Sequence, residues 1–407
     1  MNLKALRAEA QELQNEIVKW RRDLHQIPEL GLDLPETSAY VERTLKELGI
    51  PVKTGLAKSG VVGLIAGCEP GPTFALRADM DALPIQEETG LAFASRHPGR
   101  MHACGHDTHT AMLLGAAKLL QAHCAELKGN VKLIFQPAEE GPGGAEPMIR
   151  DGVLADPPVE AILGMHIGTI FKEVPAGVIG VGYGPLMASL DRFYIKVIGK
   201  GGHGAMPETT VDPVAITGTL IGALQQLVSR EQKPTHPLVL TIGRIQGGSA
   251  YNVIPSFVEL EGTVRATRED ERQSIARRME AVVAGITQGL RASYEFKYDF
   301  GYPPLVTDEG VTRHVEETAR ELFGPEGVMT LSEPTMGGED MAFFLERVPG
   351  TFIFLGGANP AKGIVRAHHS STFDVDEAVF WRGSAALAAS ALTWLDKNHK
   401  QRHASRR

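Results

Sequence analysis

Leu3, Leu6, Ala10, Leu13, Ile17 and Trp20 recur at helical spacing, with Lys4, Arg7, Glu9, Glu12, Glu16 and Lys19 between them. The chain is therefore expected to open on an amphipathic surface helix, and the same charges interrupt the apolar stretch that a secretory leader would need. A helical pattern over 37–48 gives way to short apolar runs at 61–66 and 74–77, then a helix over 109–124 and a strand over 130–136. Strands alternating with helices predict an α/β fold on a largely parallel, buried sheet.

From about Leu190 the texture changes. Residues 191–197 alternate as a half-buried strand, 213–228 read as a helix, and 238–245 and 258–265 read as strands. A long helix over 270–289 carries Ile275, Met279, Val282, Val283 and Ile286, and a strand at 292–299 follows. The order βαββαβ predicts a ferredoxin-like α+β insert. Helix–strand alternation then resumes at 311–322, 351–355 and 378–395. The expected organisation is a two-domain α/β chain. A mixed, mostly parallel sheet domain is assembled from 1–187 and 303–407, with the insert spanning 188–302.

At 407 residues the chain is longer than one hydrophobic core usually organises, in keeping with two domains. Subtracting 49 acidic from 41 basic residues gives a net charge of −8, which lacks the basic footprint of a nucleic-acid binder. No apolar run approaches the roughly 20 residues needed to cross a bilayer, so neither nucleic acid nor membrane is an expected partner. The short basic tail over 400–407 reads as a frayed, solvated end. Cys68, Cys104 and Cys124 form an odd, sparse set, expected as reduced thiols of a cytoplasmic protein.

Chemistry gathers where apolar strands end. Asp79 and Asp81 follow one, Glu139 and Glu140 follow another, and His166 follows the run 161–163. In open α/β sheets catalytic groups collect beyond the carboxyl ends of strands. Cys104-Gly105-His106 offers a thiolate and an imidazole around a glycine that permits a sharp turn, a donor pair suited to zinc and its first-row neighbours. Such a triplet is weak alone, since a buried cysteine beside a surface histidine is the plainer reading. Here His102, Asp107 and His109 crowd the same stretch, with Asp107 placed to orient an imidazole. Glu139 and Glu140 can divide labour, one holding metal and the other taking a proton from water. Asp79 and Asp81 share one side of an extended segment, and His368-His369 adds distant nitrogen donors.

Eight stretches occur in order: LRADMDALP, MHACGHDTHTAMLLG, QPAEEGPGGA, GMHIG, GKGGHGAMPE, GGSAYNVIP, PTMGGEDMAFF and HHSSTFDVDE. Together they resemble the metallopeptidases of family M20, and within it the subfamily D amidohydrolases. That group includes hippurate hydrolases, N-acyl-amino-acid deacylases and plant auxin-conjugate hydrolases. The resemblance runs from about Trp20 to Leu395, and MHACGHD is its most specific piece.

The resemblance implies Cys104, His106, Glu140, His166 and His369 as ligands of two divalent ions per subunit, drawn from zinc, manganese, cobalt and nickel. It implies Glu139 as general base and Asp81 as the acid that orients a neighbouring ligand. His369 is preferred to His368 because the residue directly before the Ser-x-x-Phe element holds the ligand in relatives. His203 resembles the histidine that reaches the partner subunit's active site and stabilises the oxyanion. The insert is thereby expected to act as a dimerisation and lid domain of a homodimer or higher homo-oligomer. Asn252, Arg265 and Gly338 are implied in holding substrate. The implied activity is hydrolysis of the amide bond of N-acyl amino acids (acetyl, benzoyl or related acyl groups) by metal-activated water. The alternative is a carboxypeptidase or dipeptidase acting on short peptides. A non-catalytic metal- or ligand-binding relative would have lost the base or several ligands, and this chain keeps them. One departure is Ser370-Ser371-Thr372-Phe373, where many relatives carry a proline.

Overall fold

A computed structural model describes residues 2–404. The chain divides into two compact units. The larger comprises Met1–Gly184, Val306–Glu333 and Phe343–Arg407, and the smaller Pro185–Leu305 and Pro334–Ala342.

The larger unit is organised on an eight-stranded sheet. Its spatial order is Val52–Leu56, Gly60–Ala66, Lys128–Gln136, Glu69–Asp79, Val159–Gly168, Gly350–Gly356, Ile179–Val181 and Val328–Thr330. The four central strands, from Lys128–Gln136 to Gly350–Gly356, run parallel, whereas Val52–Leu56 and Gly60–Ala66 join antiparallel. This is the mixed, mostly parallel sheet the pattern predicted. The near-continuous apolar runs of the central strands follow from burial on both faces. His166 is a correction. It lies inside the Val159–Gly168 strand rather than beyond it, because Gly350–Gly356 pairs along that strand to its end.

The N-terminal pattern is also revised, since the amphipathic stretch folds as two helices, Leu3–Glu12 and Gln14–His25, meeting at Leu13. The helix His106–Ala122 is almost wholly buried between neighbours. Gly115 lets them approach: a Cβ there would lie 2.3 Å from Ser384 Oγ and 3.0 Å from Ile17 Cδ1. Ser384 Oγ instead donates to Met112 O at 2.8 Å, tying His106–Ala122 to the final helix, Phe380–Ala404. That helix carries Lys400 and Arg402, so the expected frayed tail is helical up to Ala404; Ser405, Arg406 and Arg407 lie outside the described residues.

The smaller unit holds a four-stranded antiparallel sheet in the order Leu238–Gly247, Phe257–Ala266, Leu190–Ile198, Ser293–Tyr302. Helices Pro213–Gln226 and Glu269–Gly289 supply the other layer, closing a core around Phe193, Ile195, Val197, Leu260, Met279 and Val283. Strand and helix order together give the expected ferredoxin-like arrangement. The first helix ends earlier than its apolar pattern, passing into a π turn at Leu227–Glu231. Among the described residues no helix is long and apolar enough to cross a membrane.

Candidate metal centre

Strands Glu69–Asp79 and Lys128–Gln136 pair in parallel with Asp79 opposite Gln136, so the segments leaving them start at one sheet edge. Met80 N–H donates to Gln136 O at 2.8 Å and keeps them together. The Asp81 carboxylate then accepts two backbone donors, Glu139 N–H at 2.8 Å and Glu140 N–H at 3.0 Å. Ala138, at φ +62°, turns the chain into that grip. Burial pushes the Asp81 pKa up, opposed by His106 and by these two N–H groups.

His106 opens the helix His106–Ala122 behind Gly105, whose φ of +91° favours glycine. Its Nδ1 bonds the Asp81 carbonyl oxygen at 2.9 Å, so Nδ1 carries a proton and Nε2 is the nitrogen left to face the carboxylates. That Nε2 is buried without a hydrogen-bond partner among the described residues, 3.9 Å from Asp79 Oδ2 and 4.0 Å from both Glu139 Oε2 and Glu140 Oε1. Burial opposes a charge on His106, yet Asp79, Asp81 and Glu140 outweigh it and raise its pKa to about 10. The pocket selects positive charge.

Across from it, Cys104 Sγ lies 3.4 Å from His166 Nε2 and 3.6 Å from His368 Nδ1. A relay fixes His166. Its Nδ1 bonds Ile167 O at 2.8 Å, and Ile167 N–H donates to His109 Nε2 at 2.9 Å. His109 Nδ1 in turn bonds Asp79 Oδ1 at 2.6 Å, while Arg77 Nη1 donates to Asp79 Oδ2 at 2.8 Å. Both nitrogens of His109 are thus engaged, which leaves it no lone pair for a metal although it lies near Asp79 and His106. Burial and the nearby carboxylates, Glu140 foremost, push the Cys104 thiol pKa well up, so only a bound cation would favour its thiolate. Burial and the imidazoles of His109 and His368 push His166 well down, keeping it neutral.

Three of the groups whose donor atoms lie within 4.8 Å of one another are made of expected site residues alone: Cys104 with His106 and His166, Cys104 with Glu140 and His369, and His106 with Glu139 and Glu140. The five expected ligands and the expected base therefore converge, with Cys104 common to two groups. His369, at φ +64°, places Nε2 3.1 Å from Glu140 Oε1, an oxygen that accepts no aligned hydrogen bond among the described residues. His368 differs, because its Nε2 already accepts Thr169 N–H at 3.0 Å. Sulfur, imidazole and carboxylate donors, two of them buried and unsatisfied, fit a divalent first-row cation.

Asp107 behaves differently from expectation. It accepts from Arg21 Nε at 2.9 Å and bonds His25 Nδ1 at 2.7 Å, so the imidazole it orients is His25 and not a candidate ligand. Four further expected residues belong to the smaller unit. There His203 is exposed and pairs with Val253 beside Asn252, whose carbonyl accepts Gly204 N–H at 2.9 Å. The half-buried Arg265 has an Nη1 without a partner among the described residues, and a Cβ on Gly338 would stand 3.2 Å from it. The sequence reading missed the supporting relay of Arg77, Asp79 and His109. Its one available signal was an arginine inside an apolar strand, which demands a buried partner.

Residues 75–393 match the profile described as peptidase family M20/M25/M40. The chain is 42% identical over 394 residues to an N-acetyl-L-cysteine deacetylase of Bacillus subtilis, covering 96% of this chain and 91% of that protein. It is 40% identical over 396 residues to thermostable carboxypeptidase 1 of Saccharolobus solfataricus, covering 96% and 98%. Among solved structures, a Bacillus subtilis protein described as a dinuclear metal-binding peptidase of the M20 family superposes with a TM-score of 0.82 at 40% identity, covering 95% of this chain and 99% of that one. With a matched profile over most of the chain and relatives of this similarity along almost its whole length, the chain belongs to peptidase family M20/M25/M40.

Proposed function

We propose that the chain is a metal-dependent amidohydrolase that cleaves the amide bond of N-acyl amino acids. Cys104, His106, Glu140, His166 and His369 hold two divalent ions, drawn from zinc, cobalt, nickel and manganese. Bound there, the ions supply Lewis-acid polarisation and make water acidic enough to ionise near neutral pH. Glu139 takes the proton of the attacking water and delivers it to the leaving amine. Arg265 and Asn252 hold the substrate carboxylate, a partner that suits a guanidinium, and Gly338 binds substrate with them. His203, acting from the partner subunit, stabilises the oxyanion. The observation that carries this reading is the double N–H grip of Asp81 on Glu139 and Glu140, which fixes a base beside a ligand at the orphaned His106 Nε2.

The similarity to the deacetylase supports single-amide cleavage. A second reading, a carboxypeptidase or dipeptidase on short peptides, is supported by the carboxypeptidase relative, and the same carboxylate-binding residues would serve it. A homo-oligomer is supported by the smaller unit's surface. Its edge strand Leu238–Gly247 exposes Val239 and Ile245, and helix Pro213–Gln226 exposes Val214. The three free cysteines support a cytoplasmic setting.

Metal-reconstituted enzyme assayed on acetyl-amino acids, benzoyl-amino acids and dipeptides separates the two readings. On the preferred substrate Glu139→Gln is expected to lose roughly 10²–10⁴-fold in rate with metal content unchanged. Near-full turnover with metal present would overturn the assignment of the base.

A further inference from the structure

His368 stands next to an expected ligand and is arranged for a different task. Its Nε2 accepts the Thr169 N–H at 3.0 Å, which a doubly protonated ring could not do. The ring proton therefore sits on Nδ1, and Nδ1 faces Cys104 Sγ at 3.6 Å. A donor with its other nitrogen engaged has no lone pair to offer a cation. The surroundings hold the ring in this pose. Phe373 lies at a ring-centroid distance of 4.7 Å, and His166 packs edge-on at 5.1 Å. Gly168 makes the room, since a Cβ there would fall 2.2 Å from His368 Nε2.

We propose that His368 is a positioning residue that donates an N–H···S hydrogen bond to the Cys104 sulfur and so sets how strongly that thiolate donates to metal. The inference rests on the reading of Cys104 as a ligand. A hydrogen bond to a thiolate lowers the energy of the sulfur lone pairs and fixes the direction in which the remaining ones point. Cys104 is shared by two of the donor groups, so this one bond acts on both. His368 and His369 then have separate duties, one acting through sulfur and the other offering a nitrogen directly.

The test uses cobalt-substituted enzyme, in which a thiolate ligand gives a sulfur-to-cobalt charge-transfer band in the near ultraviolet. Loss of the N–H donor in His368→Phe is expected to move the band to longer wavelength, because the sulfur lone pairs rise, and to raise the cobalt Kd about tenfold, because the lone pair aimed at the metal is no longer held in direction. His368→Asn, whose side-chain amide places an N–H where Nδ1 stood, should stay close to wild type in both. An unmoved band and Kd in His368→Phe, or equal changes in both variants, overturn the proposal. Wild-type enzyme that binds cobalt without the band overturns the ligand role of Cys104 itself, a separate failure. Nitrogen-15 tautomer analysis of the metal-free wild type needs no variant: an Nδ1–H ring at His368 supports the bond, and an Nε2–H ring excludes it.

Discussion

Asp81 holds Glu139 by its backbone: the Asp81 Oδ1 accepts the Glu139 N–H at 2.8 Å, and Oδ2 accepts the Glu140 N–H at 3.0 Å. The acid therefore orients more than one neighbour, because its main-chain carbonyl also bonds His106 Nδ1. Asp81→Asn keeps the shape but presents an NH2 to one of the two N–H groups, which leaves that donor unsatisfied. We expect turnover to fall roughly 10–100-fold with KM little changed. Steady-state kinetics alongside elemental analysis measures this. An unaltered kcat would show that the grip does not position the base.

Much of this centre was legible in the sequence. Cys104, His106, Glu139 and Glu140 stand in short, unusual clusters of donors, and the polar groups that follow buried strands converge because those strands are parallel neighbours. The relay of Arg77, Asp79, His109 and Ile167 was not legible. It depends on the register that sets Arg77 opposite Gly164, a pairing between distant segments that no local pattern records. The same limit explains His166, where pairing with Gly350–Gly356 extends the strand past the apolar run that marked it. The partner of Asp107 was misjudged for a related reason, since His25 comes from the separate helix Gln14–His25.

His109 should affect metal binding without touching metal. It accepts Ile167 N–H, and Ile167 O accepts from His166 Nδ1, so removing the imidazole frees the peptide that aims His166. His109→Leu should lower stability by about 1–3 kcal/mol, through unsatisfied buried groups, and weaken metal binding roughly 10–100-fold. His109→Gln restores an acceptor at the Nε2 position and His109→Asn does not, so glutamine should recover more of the affinity. Metal titrations of the three variants decide it, and equal affinities in glutamine and asparagine would dissociate His109 from His166.

Arg265 and Gly338 form a testable pair within the smaller unit. A methyl on Gly338 would sit 3.1 Å from Leu190 Cβ and 3.2 Å from Arg265 Nη1, so the guanidinium must move. Gly338→Ala should raise KM several-fold for N-acyl amino acids. Arg265→Ala should raise it roughly 10–100-fold, as expected for a lost charge-assisted bond of about 1.5–3 kcal/mol. The corresponding N-acyl amino amides, which lack the carboxylate, should be hydrolysed equally by wild type and Arg265→Ala. If the arginine variant lost both substrates alike, the guanidinium would be supporting the fold and not reading a carboxylate.

Lys132 ties stability to alkaline pH. Its ammonium is buried in the strand Lys128–Gln136 and donates to three carbonyls, Val153 O at 2.9 Å, Ala155 O at 2.5 Å and Pro157 O at 2.9 Å. Burial pulls its pKa down from 10.5 to about 8 in the folded chain. Between those values the unfolded chain binds more protons than the folded one, so this residue makes stability rise as pH rises through the window. Below about 8 the cost of burying the charge is present in full, and above 10.5 both states are neutral. Lys132→Met removes the titration and also leaves the three carbonyls without their donor, at a cost of about 1–3 kcal/mol. Thermal unfolding followed from pH 7 to 11 should therefore show the variant less stable throughout, with its deficit relative to wild type widening as pH climbs through the lysine's range. A deficit that narrowed or stayed constant would mean that the charged lysine is no worse accommodated by the folded chain than by water.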